Sequence, residues 1–176
     1  MNFKSILVMI ALLGALPAEA ENLGGYAGAG LGVPAISSTS GLAVKIFGGY
    51  KLHDFSIGKA GMLQLYIQGE YVDFGKTTVG TTSWADSGMA VAGVGAWVIP
   101  RKWAEWTDEK VAVIVKVGGS RVSSKSSNAV FSATYTGMTQ GAGAEYRLNN
   151  SAAARAMIEQ YPNGNQLVTV TGVFSF

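Results

Sequence analysis

The stretch Val168-Thr169-Val170-Thr171-Gly172-Val173-Phe174-Ser175-Phe176 alternates residue by residue, and that alternation constrains the chain more than any other feature. In an extended strand Val168, Val170, Gly172, Phe174 and Phe176 share one face, and Thr169, Thr171, Val173 and Ser175 share the other. One face is apolar and ends on a free aromatic residue. The other is mostly hydroxylated. A strand with lipid outside and a polar lumen inside satisfies both faces, whereas a soluble domain rarely stops on such a sequence.

The N-terminus reads as an export signal: Lys4 supplies the positive region, Ile6 to Leu16 the apolar region, and Ala18-Glu19-Ala20 a small-x-small cleavage site. The expected division is a cleaved signal over residues 1–20 and one β-barrel domain over 21–176. The apolar stretch falls short of the roughly 20 residues that a bilayer-spanning helix needs. Beyond it the longest apolar candidate is Met89 to Ile99, so no transmembrane helix is expected. Cysteine is absent, which excludes a disulfide framework and thiolate metal sites. The net charge of +2 is carried by dispersed residues, which leaves no electrostatic footprint for a nucleic acid.

Alternation marks eight candidate strands, at about residues 24–34, 41–52, 61–74, 86–99, 110–122, 132–148, 152–161 and 166–176. Turn-rich pieces separate them, including Gly75 to Ser83, Ser123 to Asn128 and Pro162-Asn163-Gly164-Asn165. An even number of strands of about 9 to 11 residues is the signature of a membrane barrel, because a closed sheet satisfies its backbone polar groups in hydrocarbon. The predicted fold is therefore all-β, an eight-stranded antiparallel up-and-down transmembrane barrel.

The period of two also assigns faces. Val44, Ile46, Gly48, Tyr50 and Leu52 oppose Lys45 and Phe47, and Val111, Val113, Val115 and Val117 oppose Lys116. Leu63, Leu65, Ile67 and Tyr71 oppose Gln64, Gln68 and Glu70. Met138, Ala142, Ala144 and Tyr146 oppose Glu145 and Arg147, while Ala154, Ala156 and Ile158 oppose Arg155 and Glu159. The fourth strand is apolar on both faces, which leaves its facing open. Aromatic residues should gather in two interfacial girdles. One would hold Tyr26, Tyr50, Trp97, Trp103, Tyr146, Phe174 and Phe176, and the other Phe74, Trp84, Phe131, Tyr135 and Tyr161.

Short glycine-rich pieces in a fixed order carry a family resemblance: Gly25-Tyr26-Ala27-Gly28-Ala29, Phe47-Gly48-Gly49-Tyr50, Gly69-Glu70-Tyr71-Val72-Asp73-Phe74-Gly75, Lys116-Val117-Gly118-Gly119, and Gly143-Ala144-Glu145-Tyr146 with Arg155. In these the chain resembles the small eight-stranded outer-membrane barrels of the OmpA-like transmembrane domain family. The end on Phe174 and Phe176 resembles the C-terminal assembly signal of bacterial outer-membrane proteins. The resemblance implies a monomer in a Gram-negative outer membrane, with membrane lipids, lipopolysaccharide and the barrel-assembly machinery as partners. No peptidoglycan-binding domain is expected after Phe176, so cell-wall tethering does not carry over.

The inward charges Lys45, Glu70, Lys116, Glu145, Arg147, Arg155 and Glu159 form the candidate functional set, which in the family resembles a lumen plug or gate. The plainer account is that a narrow polar interior needs paired charges simply to be filled. Catalysis is not expected. His53, Asp54 and Ser56 have the composition of a triad but lie together on a presumed turn, whereas a triad converges from separate elements. No ligand spacing for a metal is present, and no cofactor is implied. Asn149-Asn150-Ser151 reads as turn chemistry despite its glycosylation pattern, and Arg121 as a rim residue that either snorkels or meets lipid phosphate. The expected role is structural or surface-related, with at most a narrow gated pore. The alternative is a small passive channel or a carrier for small or hydrophobic solutes, which Val91, Val94 and Val98 would permit. A soluble ligand-binding barrel of lipocalin type would want the opposite facing of charges.

Overall fold

A computed structural model describes residues 24–34, 41–79, 82–107, 109–127 and 131–176. The signal-peptide reading over residues 1–20 lies outside these residues. Eight strands follow one another: β1 (Gly25–Pro34), β2 (Ala43–Ser56), β3 (Met62–Val79), β4 (Thr82–Val98), β5 (Val111–Ser126), β6 (Ser132–Arg147), β7 (Ala152–Gln160) and β8 (Gln166–Ser175). Each pairs antiparallel with the next, and β1 pairs with β8 from Tyr26↔Ser175 to Pro34↔Leu167, so the sheet closes into a barrel. Among the described residues three single-turn 3-10 segments, Gly58–Ala60, Glu105–Thr107 and Pro162–Gly164, sit in the connections. Among the described residues no helix is long and apolar enough to cross a membrane.

The C-terminal strand completes the seam. Phe176, the residue after it, exchanges main-chain hydrogen bonds with Gly25, which donates to the Phe176 oxygen at 3.0 Å and accepts from the Phe176 nitrogen at 2.9 Å. Barrel closure leaves no free edge along this part of the sheet, as hydrocarbon demands.

Side chains sort as the alternation predicts. Lys45, Phe47, Gln64, Gln68, Glu70, Lys116, Arg155 and Glu159 are buried in the lumen. Ile67, Val115, Val117, Met138, Ile158, Val170 and Phe174 are exposed on the outer wall. A soluble protein rarely exposes so continuous an apolar band, whereas hydrocarbon covers it. The fourth strand also takes a definite facing: Ala90, Ala92, Val94, Ala96 and Val98 are buried, while Met89 and Val91 point outward. The small side chains of Ala90, Ala92 and Ala96 on the inward face suit a narrow interior.

Several strands run longer than the sequence pattern suggests. β3 continues past residue 74 to Val79, β4 starts at Thr82 rather than 86, and β5 continues past 122 to Ser126. The Gly, Ser and Thr residues that read as turns instead ladder with one another, from Gly75↔Asp86 to Val79↔Thr82 and from Ser123↔Thr134 to Lys125↔Ser132. Gly75 relieves the one irregularity in this hairpin by taking φ +81°, where the register shifts between Asp73 and Gly75. β2 likewise runs to Ser56, with a register shift between Lys51 and His53, so His53 lies in a strand and not in a turn.

The extra length is one-sided. β3 to β6 have 18, 17, 16 and 16 residues, whereas β1, β7 and β8 have 10, 9 and 10. A strand crosses hydrocarbon with about 9 to 11 residues. β7 ends its pairing with β6 at Gln140↔Gln160, and Ser132–Thr139 continue beyond it. β3 to β6 therefore rise as a wall above the far rim, opposite the near rim where Gly25 and Phe176 meet.

Gly28 tests how tightly the lumen is filled. A Cβ there would lie 2.3 Å from the Phe47 ring and 2.7 Å from the Gly172 oxygen, while at Gly69, on the outer wall, it would meet nothing within 4 Å. Gly28→Val should lower unfolding free energy by about 1–3 kcal/mol through overpacking. Gly69→Ala should stay within about 0.5 kcal/mol. Urea titration of the protein folded into lipid vesicles reads both.

Candidate functional site

The lumen is layered along the barrel axis. Its centre is a ring of four charges from four strands: Lys45 on β2, Glu70 on β3, Lys116 on β5 and Glu159 on β7. Lys45 lies 3.0 Å from Glu70 Oε2 and 2.5 Å from Glu159 Oε1. Lys116 lies 2.7 Å from Glu70 Oε1 and also pairs with Glu159 Oε1. Each ammonium thus touches both carboxylates and each carboxylate both ammoniums. The ring is electrically neutral, and its side chains are at most 2% exposed. Neutrality is what makes such burial tolerable, because one uncompensated charge here would be far costlier than the pair is favourable.

Remaining lone pairs are also occupied. The Tyr161 hydroxyl donates to Glu70 Oε1 at 2.8 Å, Gln68 Nε2 donates to Glu70 Oε2 at 2.9 Å, and Thr169 Oγ1 donates to Glu159 Oε2 at 3.4 Å. Lys45 lies 5.4 Å from the Phe47 ring centre and Lys116 5.1 Å from that of Tyr161, within reach of cation–π attraction.

On the far-rim side an apolar layer of Ala43, Val72, Phe74, Val122, Tyr161 and Leu167 covers the ring. Phe74 and Tyr161 meet edge to face at 5.1 Å. On the near-rim side Arg155 donates through Nε and Nη2 to Glu145 Oε2, at 2.9 and 2.6 Å, and through Nη1 to Gln68 Oε1 at 3.4 Å. Tyr26 also donates to Gln68 Oε1, at 2.8 Å. Gln68 therefore links the Arg155–Glu145 pair to the ring. Arg147 bonds Gln64 Oε1 and stands 4.0 Å from Glu145. Beside these groups Val94, Ala96, Val98, Ala112, Ile114 and Met157 form an apolar cluster.

All seven charges singled out in the sequence line this lumen, but as two groups: a closed ring of four, and Glu145, Arg147 and Arg155 beneath it. The girdle assignments need three corrections. Tyr26, Phe74 and Tyr161 are buried inside the barrel and not on its lipid face. Tyr26 follows the inward phase of Gly28, Phe74 that of Glu70 and Val72, and Tyr161 that of Arg155, Met157 and Glu159. The two tyrosine hydroxyls find lumen acceptors that hydrocarbon could not offer. Tyr50, Trp103, Tyr146 and Phe174 are exposed at the near rim. Trp97 packs edge to face on Trp103 at 5.6 Å and donates its indole N–H to the Ala60 oxygen at 2.8 Å. The Phe176 ring packs against Gly25.

Gln64, Gln68, Tyr26 and Tyr161 are site residues that reasoning from charge alone passes over. Their two-residue phase was the available signal. His53, Asp54 and Ser56 lie near the exposed end of β2, where Asp54 pairs with Lys51 at 3.0 Å and the His53 ring packs on Phe55 at 4.5 Å. Asn149 Oδ1 accepts from the main-chain nitrogens of Ser151 and Ala152 at 2.9 and 2.8 Å, as its turn role requires.

The description "outer membrane protein beta-barrel domain" belongs to the family model that matches residues 5–172. Among solved structures, the N-terminal β-barrel domain of Pseudomonas aeruginosa OprF superposes with a TM-score of 0.60 at 12% identity, covering 88% of this chain and 98% of that one. Ail, the attachment invasion locus protein of Yersinia pestis, gives 0.56 at 12% identity, with 86% and 96% covered. The outer membrane enzyme PagL gives 0.51 at 13% identity, with 86% and 99% covered. At these identities the likeness is one of fold, and one of the barrels that share it is described as an outer membrane enzyme. No curated protein matches the sequence.

The ring's neutrality makes a testable asymmetry. Lys116→Met leaves Glu70 and Glu159 sharing Lys45 and should cost about 3–5 kcal/mol of stability. Adding Glu70→Gln restores charge balance around the 2.5 Å Lys45–Glu159 pair and should recover more than half of that loss. Urea midpoints of both variants in vesicles decide the matter.

Proposed function

The chain belongs to the outer membrane protein β-barrel domain family, and from that premise we propose that it serves as a closed barrel with a structural and surface role. The family sets it in the Gram-negative outer membrane. The observation that carries the finer reading is the double closure of the lumen, by a neutral ring of buried charges and by the apolar layer over it. An eight-stranded interior is just wide enough to be filled by side chains, which supports a plug over an open pore.

The wall of β3 to β6 supports the surface role. With the near rim toward the periplasm, the long strands stand outside the membrane and present polar Ser and Thr residues together with exposed Phe131 and Tyr135. Arg121, exposed on the outer wall of β5, is suited to lipopolysaccharide phosphate. Phe174 and Phe176 on the closing strand would serve recognition by the barrel-assembly machinery. A monomer suffices, because the sheet closes on itself.

A non-enzymatic role fits the placement of His53, Asp54 and Ser56 on one strand end, with the Asp54 carboxylate engaged by Lys51. A hydrophobic-solute carrier is less well supported: Val91 faces outward, and Val94 and Val98 pack with Ile114 and Met157. One observation favours a gated variant of the plug. Each ring charge has two partners, so pairs can exchange without leaving a charge alone.

Planar-bilayer recording separates these readings. The closed barrel should give no steady conductance, and its liposomes should not swell in small sugars. Brief openings that change with Glu70→Gln or Arg155→Gln would establish the gate, and no change in either variant would leave only the plug. Steady swelling would favour the passive channel.

A further inference from the structure

Beneath the plug, the near-rim end of the lumen opens into a cup of about 820 Å³. That volume falls within the range of about 300–1,000 Å³ typical of small-molecule sites. Its charged side chains are Lys51, Lys110, Arg147 and Arg155 against Glu109 and Glu145. The cations outnumber the carboxylates, and the carboxylates are unevenly used.

Glu145 is committed to Arg155, whose Nε and Nη2 both bind its Oε2 at 2.9 and 2.6 Å. The nearest carboxylate oxygen to Arg147 is then Glu145 Oε1, 4.0 Å from Nε. The close acceptor for Arg147 is instead the neutral amide oxygen of Gln64, which already accepts the Tyr66 hydroxyl at 3.0 Å. A guanidinium has five N–H donors and a permanent charge. Here it stands one-third exposed, at 33%, on the wall of a concave site, with an amide where a carboxylate would match it. Lys51 spends its charge on Asp54. Lys110, exposed at the lip, has no ion-pair partner among the described residues.

We propose that this cup binds a small solute bearing an oxyanion, a carboxylate or a phosphate, seated on the guanidinium fork of Arg147. The planar fork matches two oxygens of either group, and the partly buried position strengthens the contact relative to a surface arginine. Lys110 at the lip draws the anion in, and the edges of Tyr66 and Phe176 give an organic remainder an apolar wall. The site is separate from the plug, since the Arg155–Gln68–Glu70 linkage closes its floor. It faces the near rim and needs no passage through the lumen.

The test is NMR titration of the full chain in nanodiscs with sodium phosphate and with disodium succinate, each against sodium chloride at equal ionic strength. The Arg147 Nε–Hε resonance and the Ser151 and Ala152 amides should shift saturably with at least one of the two oxyanions, and which one responds identifies the chemical class. Arg147→Gln should weaken binding at least about 10-fold, as expected for loss of a charged hydrogen-bonded pair. Arg147→Lys, which keeps the charge but not the fork, should fall between. Lys110→Gln should weaken binding about 2- to 3-fold, the size of an exposed charge effect. Shifts equal to those from chloride, or shifts that persist unchanged in Arg147→Gln, overturn the proposal. If Arg147→Gln loses the heat-dependent gel shift of a folded barrel, unchanged binding in both Arg147→Lys and Lys110→Gln overturns it.

Discussion

A strand in hydrocarbon must find partners for every N–H and C=O within the protein, and the pairing of β1 with β8 is where this chain meets that demand. Nine residue pairs, from Tyr26↔Ser175 to Pro34↔Leu167, convert an open meander into a barrel. Everything inside follows from that closure. Once the sheet is a cylinder, every second residue is directed into a narrow space away from lipid and, at the level of the charge ring, away from water as well. Polar groups placed there must satisfy one another.

The lumen meets this requirement by sorting its contents along the axis. Apolar and aromatic groups close the far-rim end, a neutral ring of two lysines and two glutamates occupies the middle, and arginine with amide partners lines the near-rim cup. The ring and the apolar layer depend on each other. Tyr161 belongs to both, packing its ring on Phe74 and donating its hydroxyl to Glu70. The apolar layer excludes water that would otherwise loosen the ion pairs, and the ion pairs give the tyrosine hydroxyl an acceptor. Below the ring, charge matching becomes incomplete at Arg147, where solvent access lowers the penalty for an unmatched cation. The same gradient from dry to wet separates a structural plug from a site able to take a ligand.

The outside of the barrel divides just as sharply. The apolar band on the outer wall reflects the bilayer, and the tall wall of β3 to β6 lies beyond it. Barrels of this fold share less than 15% identity with the chain, and they include both the attachment invasion locus protein Ail and the outer membrane enzyme PagL. Their common part is the closed sheet with its two-faced strands. On such a scaffold function resides in the site that a chain carries and not in the sheet itself.

Much of this was legible in the sequence because a period of two records which neighbours a side chain will have. The strand number, the antiparallel order and the inward facing of Lys45, Glu70, Lys116, Arg155 and Glu159 all follow from alternation against two solvents. The misplaced aromatics, Tyr26, Phe74 and Tyr161, had the inward phase too, but an aromatic near a strand end is equally at home in a girdle, and only the lumen contacts separate the two. Strand ends were hidden for a different reason. Gly75, Thr77, Thr78, Thr82 and Ser83 have the chemistry of turns, and they become strand only when a partner strand supplies the ladder. The sequence by itself determined the barrel and which side chains enter it, since facing is a local property of each strand. Tertiary structure alone decided that Lys45, Glu70, Lys116 and Glu159 form one neutral ring while Arg147 is left with an amide, because tilt and stagger of the closed sheet set which residues of non-adjacent strands share a level.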